Sequence, residues 1–259
     1  MYRRDFLAGT LAASALAVTP AAQEQTSVTR PREFYQLRRY ALQSGPQVAM
    51  TEKYISEALI PALAKRGGPV GAFRLEIGPE TPMFYVLIPI RELAMAGALE
   101  LELAQDADYV KAAEPFWSAP ASSPAFLRID SSLLAAFEGW PRITPPAKGK
   151  RIFQLRTYES PSYKDHVVKV KMFHSGEFDI FLKSGFHPVF FGDTLVGARM
   201  PNLTYMLSFT DMNELDAQWD VFRNNPDWKK LSADSRFAYE AIVSNITNLV
   251  LNPLSCSQI

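Results

Sequence analysis

The chain has 259 residues, 47% of them hydrophobic, with 27 basic and 27 acidic side chains. This is ordinary globular material and excludes a disordered or fibrous chain. Zero formal net charge and no long run of Lys or Arg leave none of the clustered positive charge that nucleic-acid phosphates demand, so no nucleic-acid partner is expected.

In chain order, the first element is a targeting segment. Arg3-Arg4-Asp5-Phe6-Leu7 precedes the Ala-rich run Ala8 to Val18, a pattern similar to a twin-arginine export signal. A chance basic start before an N-terminal anchor is the alternative, but the apolar run is shorter than the roughly 20 residues that span a bilayer. Residues 1–22 are therefore expected to be a signal peptide outside the fold. The mature chain is then expected in the periplasm or another extracytoplasmic space, with no stable membrane span.

The next unit is expected over 33–140. Alternation predicts a strand at Phe34 to Leu42, and apolar spacing predicts a helix at Gln47 to Lys65, kinked at Pro61. Strands at Val70 to Ile77 and Met83 to Ile90 follow, then helices at Arg91 to Leu103 and Ala107 to Trp117, then a strand at Phe126 to Phe137. Pro141 to Lys148 reads as a linker.

A second unit is expected over 150–252, because FYQLRRY at Phe34 to Tyr40 recurs as IFQLRTY at Ile152 to Tyr158. The helix Ser162 to Lys183, strands Pro188 to Val196 and Leu203 to Phe209, helices Asn213 to Phe222 and Pro226 to Ser232, and a closing strand Tyr239 to Leu251 repeat the plan. Such an echo points to a duplicated unit. Strand-helix-strand-strand-helix-strand is the ferredoxin-like order, an antiparallel sheet with helices on one face. The expected fold is α+β, two tandem ferredoxin-like units whose open faces pack together as an intramolecular dimeric α/β barrel. Tyr35, Leu37, Phe153 and Leu155 are expected beneath the helices. Gln36, Arg38, Tyr40, Gln154, Arg156 and Tyr158 are expected in the shared interior.

At these positions the chain resembles the NIPSNAP family of the dimeric α/β-barrel superfamily. The carriers are Gln154-Leu155-Arg156-Thr157-Tyr158, the strand Tyr205-Met206-Leu207-Ser208-Phe209 running into Asp211-Met212-Asn213-Glu214-Leu215, Trp219, and Asn225-Pro226-Asp227-Trp228. The first copy departs from the pattern, with Ala94-Met95-Ala96-Gly97-Ala98 set against Ala217 to Val221. Gln36 and Gln154 stand where the family usually carries Glu, which weakens any acid/base role there. The resemblance implies a fold more than a chemistry, since superfamily members include monooxygenases, haem-handling enzymes and isomerases.

Candidate site residues are few. Arg38 with Tyr40 and Arg156 with Tyr158 recur in both copies, and together can hold an anionic or aromatic small molecule by charge-assisted and stacking contacts. The alternative is a purely structural role, each Arg paired with an acid such as Glu76 or Asp193. His174, on the long helix, is either a ligand-facing histidine, as in haem-handling relatives, or an ordinary helix-surface one. No HExxH or CxxC spacing is present, so no metal site is expected, and no cofactor is assigned. Trp219, Phe222 and Trp228 read as core. The single Cys256 sits in the tail Pro253 to Ile259, which reads as a frayed end.

The favoured expectation is an exported protein that binds a small ligand or partner in the barrel interior. A cofactor-free or haem-dependent monooxygenase-like enzyme is the alternative, and further homo-oligomers are open.

Overall fold

The protein is described by a computed structural model covering residues 32–43 and 45–259; the expected signal segment lies outside the described residues. The first half supplies β1 (Phe34–Ala41), β2 (Gly71–Ile77), β3 (Met83–Ile90) and β4 (Arg128–Ala136). The second supplies β5 (Ile152–Glu159), β6 (His187–Val196), β7 (Asn202–Phe209) and β8 (Asn245–Pro253). All pairs are antiparallel, and the strands close in the order β1-β3-β2-β8-β5-β7-β6-β4. Each half therefore has the same internal order, with its first strand between its third and fourth. The two seams are also equivalent. In each, the second strand of one half pairs with the last strand of the other, β2 with β8 and β6 with β4.

Closure removes every sheet edge, and an eight-stranded barrel is just wide enough to be filled by side chains. Its interior is apolar and drawn from both halves, including Tyr35, Phe73, Leu87, Phe153, Leu155, Phe190, Met206 and Leu251. This corrects the expected facing. The alternation along β1 and β5 holds, but Tyr35, Leu37, Phe153 and Leu155 point into the barrel, and Tyr40 and Tyr158 belong to the two cores beneath the helices. The physical reason is pairing. The apolar barrel core offers no partner for Arg or Gln, whereas on the helix side Ser131 meets Gln36, Glu100 meets Arg38 and Asn248 meets Gln154.

The helical layer of the first half holds α1 (Pro46–Tyr54), α2 (Ile60–Ala64), α3 (Leu93–Leu103) and α4 (Ala107–Trp117). That of the second holds α5 (Tyr163–Met172), α6 (Phe178–Lys183), α7 (Met212–Asn224), α8 (Pro226–Ser232) and α9 (Tyr239–Ile242). Short side chains start four of these: Asp106, Ser162, Asp211 and Asn225 each accept a backbone N–H of the first turn, satisfying donors that a helix start leaves orphaned. Among the described residues no helix is long and apolar enough to cross a membrane.

Both long helices are interrupted by a wide π turn, Ile55–Leu59 between α1 and α2 and Phe173–Glu177 between α5 and α6. In the first, Pro61 follows at once and has no N–H for the regular ladder, so the expected kink takes the form of a π turn. In the second, Gly176 takes φ 133°, a conformation other residues rarely adopt. Two further expectations are corrected. Tyr239 to Ile242 is a helical turn and the last strand begins only at Asn245. The C-terminal tail is docked: the Leu254 and Gln258 amides donate to the Ala72 and Val70 carbonyls, both at 2.9 Å, and Cys256 packs against the first helical core.

Candidate functional site: an arginine without a carboxylate

Arg156 lies on the helix side of β5, between Tyr205 of β7 and Asn248 of β8. Its guanidinium carbon sits 4.6 Å from the ring centroid of Trp219 and 5.4 Å from that of Tyr158, cation–π distances that stabilise a partly desolvated charge. Its Nε is buried with no partner, and among the described residues Arg156 makes no ion pair. The side chain borders a cavity of about 500 Å³ whose walls include Tyr158, Trp219, Trp228 and Tyr239.

The indole of Trp219 is held in place from the sheet. Its Nε1 donates to Gln154 Oε1 at 2.8 Å, and Gln154 Nε2 donates to Asn248 Oδ1 at 2.9 Å. A glutamine serves this relay because it both accepts and donates, which a carboxylate does not. The edges of Phe186 and Phe222 close against the same indole.

Below this layer lies a buried ion pair. Lys169 Nζ reaches Glu177 at 2.9 and 3.3 Å, and the two side chains are 1% and 3% exposed. On a straight α-helix, residues eight apart stand about 80° out of line. The extra residue of the π turn takes up that angle and brings them together. Burial pushes the Glu177 carboxyl above the usual carboxylate range, with Lys169 and Arg156 pulling against it. Lys169 Nζ also stands 4.5 Å from the Phe173 ring, and the Tyr158 hydroxyl is 2.9 Å from that of Tyr205. Tyr239, half-buried at the wall, has its phenol pushed up to about 12 by desolvation and by Tyr158.

The matching place in the first half is closed. Arg38 is 4% exposed; it donates to Gln36 Oε1 at 3.1 Å and forms an ion pair with Glu100 of α3. Tyr40 packs edge-on to Phe116 and tilted to Tyr54. Thr51 and Leu59, fully buried, occupy its long helix where the second half has Lys169 and Glu177.

The expected site residues thus do not converge. Arg156 and Tyr158 share the open cavity, Arg38 and Tyr40 lie in a separate filled core, and none of the four lines the barrel interior. The acids suggested as their partners are used elsewhere: Glu76 accepts from Asn252 at 2.9 Å, and Asp193 meets His166 at 2.7 Å. His174 is exposed, its Nδ1 2.9 Å from the Val170 carbonyl and its Nε2 accepting the Gly139 amide at 3.2 Å, so it props the segment after β4 and faces neither cavity nor barrel. The barrel interior opens at one end into a cavity of about 410 Å³ lined by Leu37, Leu155 and Leu249 with Arg39 and Arg199 at its rim. Among the described residues no group of three or more His, Cys, Asp or Glu is placed to hold a metal.

Sequence reading missed Glu100, Lys169, Glu177 and the site role of Trp219. One signal was available: Glu100 and Trp219 are each the eighth residue after their helix N-caps, Glu92 and Asp211.

Comparison with known proteins agrees with this architecture. No curated protein sequence matches the chain significantly. Among solved structures, a candidate monooxygenase of Lactobacillus acidophilus NCFM is similar with a TM-score of 0.58 at 12% identity, over 86% of this chain and 94% of that one. A candidate monooxygenase of Fusobacterium nucleatum gives 0.58 at 8%, over 87% and 94%. An anthrone oxidase-like protein gives 0.53 at 9%, over 87% and 93%. At these identities the likeness is one of fold. The NIPSNAP family model matches residues 153–258, the half that carries the Arg156 cavity, so it is the second half of this chain that is similar to NIPSNAP.

Proposed function

We propose that the chain binds one small anionic ligand with an apolar, ring-containing body in the cavity beside Arg156. The observation that carries this reading is a partly desolvated guanidinium with no carboxylate partner, facing about 500 Å³ of aromatic-walled space. That is within the usual size of small-molecule sites, and aromatic walls with a few convergent polar and charged groups, here Arg156, Lys169, Glu177, Asp216 and Arg223, are their ordinary chemistry. Lys169 is paired with Glu177 and Arg223 with Asp220, so Arg156 is the cation left for a ligand. The Arg3-Arg4 signal pattern supports placing this binding outside the cytoplasm, and the repeated strand phrase supports descent from a duplicated NIPSNAP-like unit in which one site has been closed.

The test is a thermal-shift and calorimetric screen of aryl acids against the full chain and Arg156→Met. Saturable binding is expected in the first, with a loss of about tenfold or more in the variant, the worth of a charge-assisted contact. Unchanged binding by Arg156→Met would refute the reading.

The candidate monooxygenases of the same fold favour a second reading, in which the guanidinium holds a substrate as its anion for oxidation. Oxygen consumption with a bound aryl substrate separates the two.

A further inference from the structure

The chain contains its own answer to which anion fits. The halves correspond register for register: Arg38 lies between Val86 and Ser131 on its neighbouring strands, Arg156 between Tyr205 and Asn248. Gln36 Nε2 donates to Ser131 Oγ at 2.9 Å, as Gln154 Nε2 donates to Asn248 Oδ1 at 2.9 Å. From the same helix position, one half sends Glu100 to its arginine and the other sends Trp219. The carboxylate meets one nitrogen of Arg38, Nη2. The indole covers a face of Arg156, spends its N–H on Gln154, and adds no charge.

We propose that the cavity beside Arg156 takes the carboxylate of a small aromatic acid, in the place that Glu100 fills against Arg38. This rests on the reading of the Arg156 cavity as a ligand site and names the group it selects. Two observations set the class. The guanidinium fork matches a carboxylate in geometry, and the Glu100 pair shows this sheet position, with its glutamine neighbour, accommodating one. The charge count sets the valence: with Lys169 paired to Glu177 and Arg223 to Asp220, Arg156 is the cation left on the cavity wall, and Asp216 on the same wall adds a negative charge, which suits a monoanion and disfavours a doubly charged phosphate or phosphonate, whose second charge would lack a partner. Trp219, Trp228, Tyr158 and Tyr239 supply ring faces for the body of the acid.

The experiment titrates the full chain with naphthoate, naphthamide, naphthalenesulfonate and naphthylphosphonate, each also against Arg156→Met. Naphthoate is expected to bind best, about tenfold or more tighter than the neutral amide, and to lose that margin in Arg156→Met. Sulfonate or phosphonate binding as tightly as naphthoate, with the same dependence on Arg156, would overturn the carboxylate assignment and leave the site standing; so would an amide that binds equally well. No Arg156-dependent binding by any probe would bring down the underlying reading instead. A second measurement needs no ligand in the open cavity: Glu100→Ala should regain thermal stability with added acetate but not with chloride at equal ionic strength. The absence of an acetate-specific shift would remove the argument from Glu100.

Discussion

Trp219 lies 4.6 Å over the guanidinium of Arg156, at the helix position from which Glu100 pairs with Arg38 in the other half. That helix position is one difference between a filled half and an open one, beside Thr51 and Leu59 standing where the open half has Lys169 and Glu177. The rest of the second-half site, the Gln154 relay and the Lys169–Glu177 pair, holds that indole and that guanidinium at the edge of a cavity.

The buried pair is a stability element. Lys169→Met should destabilise the fold by about 3–5 kcal/mol, because it leaves Glu177 buried without its partner. The double variant Lys169→Met/Glu177→Leu should recover most of that loss, since apolar replacement of both partners is often close to neutral. Urea denaturation of the single and double variants measures this, and a double variant as unstable as the single one would speak against the pair as the cause.

The docked tail strengthens the β2–β8 seam. Beyond the two backbone bonds, Gln258 and Ser257 side chains accept the Val70 and Ala72 amides at 2.8 and 3.0 Å. Ending the chain after Pro253 removes four hydrogen bonds, about 2–6 kcal/mol at typical net values, together with the burial of Leu254. Faster hydrogen exchange confined to β2 and β8 should accompany the lower denaturation midpoint; exchange unchanged at β2 would show that the tail does not support the seam.

Ligand binding should depend little on pH between about 6 and 10. Arg156 stays charged throughout, and desolvation together with Tyr158 holds the Tyr239 phenol neutral up to about 12. Above pH 10 the sign is unfavourable twice. An ionised Tyr239 puts a negative charge on the wall that receives an anion. A group whose folded pKa is raised also contributes stability that is present below its unfolded value, 10.0, and is lost as pH rises through about 12. Tyr239→Phe should flatten the alkaline decline in affinity, and an equally steep decline in that variant would assign it elsewhere.

How much of this was legible in the sequence follows from what alternation can tell. The strand phrases placed Arg38 with Tyr40 and Tyr35 with Leu37 on opposite faces, and that alternation holds. They did not say which face meets the helices, because both faces of a closed barrel are covered: Met83–Ile90 is buried at every position. Lys169 and Glu177 were hidden for a different reason. Their spacing reads as out of line on a regular helix, and only the π turn at Gly176 aligns them. Glu100 was hidden by matching the alanines of α3 to the aromatics of α7, where matching the caps Glu92 and Asp211 sets Glu100 against Trp219. Tyr239 was assigned to a strand, although Ala238 and Tyr239–Ile242 make a turn that carries the phenol to the cavity wall.

The central claim is that of two corresponding arginines one is filled from within and the other is free for a ligand. Calorimetric stoichiometry with naphthoate tests it most directly, using the full chain, Arg38→Met and Arg156→Met, with folding of each variant checked by circular dichroism. The account predicts one ligand per chain, retained in Arg38→Met and lost in Arg156→Met. Two ligands per chain, or binding that depends on Arg38 and survives removal of Arg156, would contradict it.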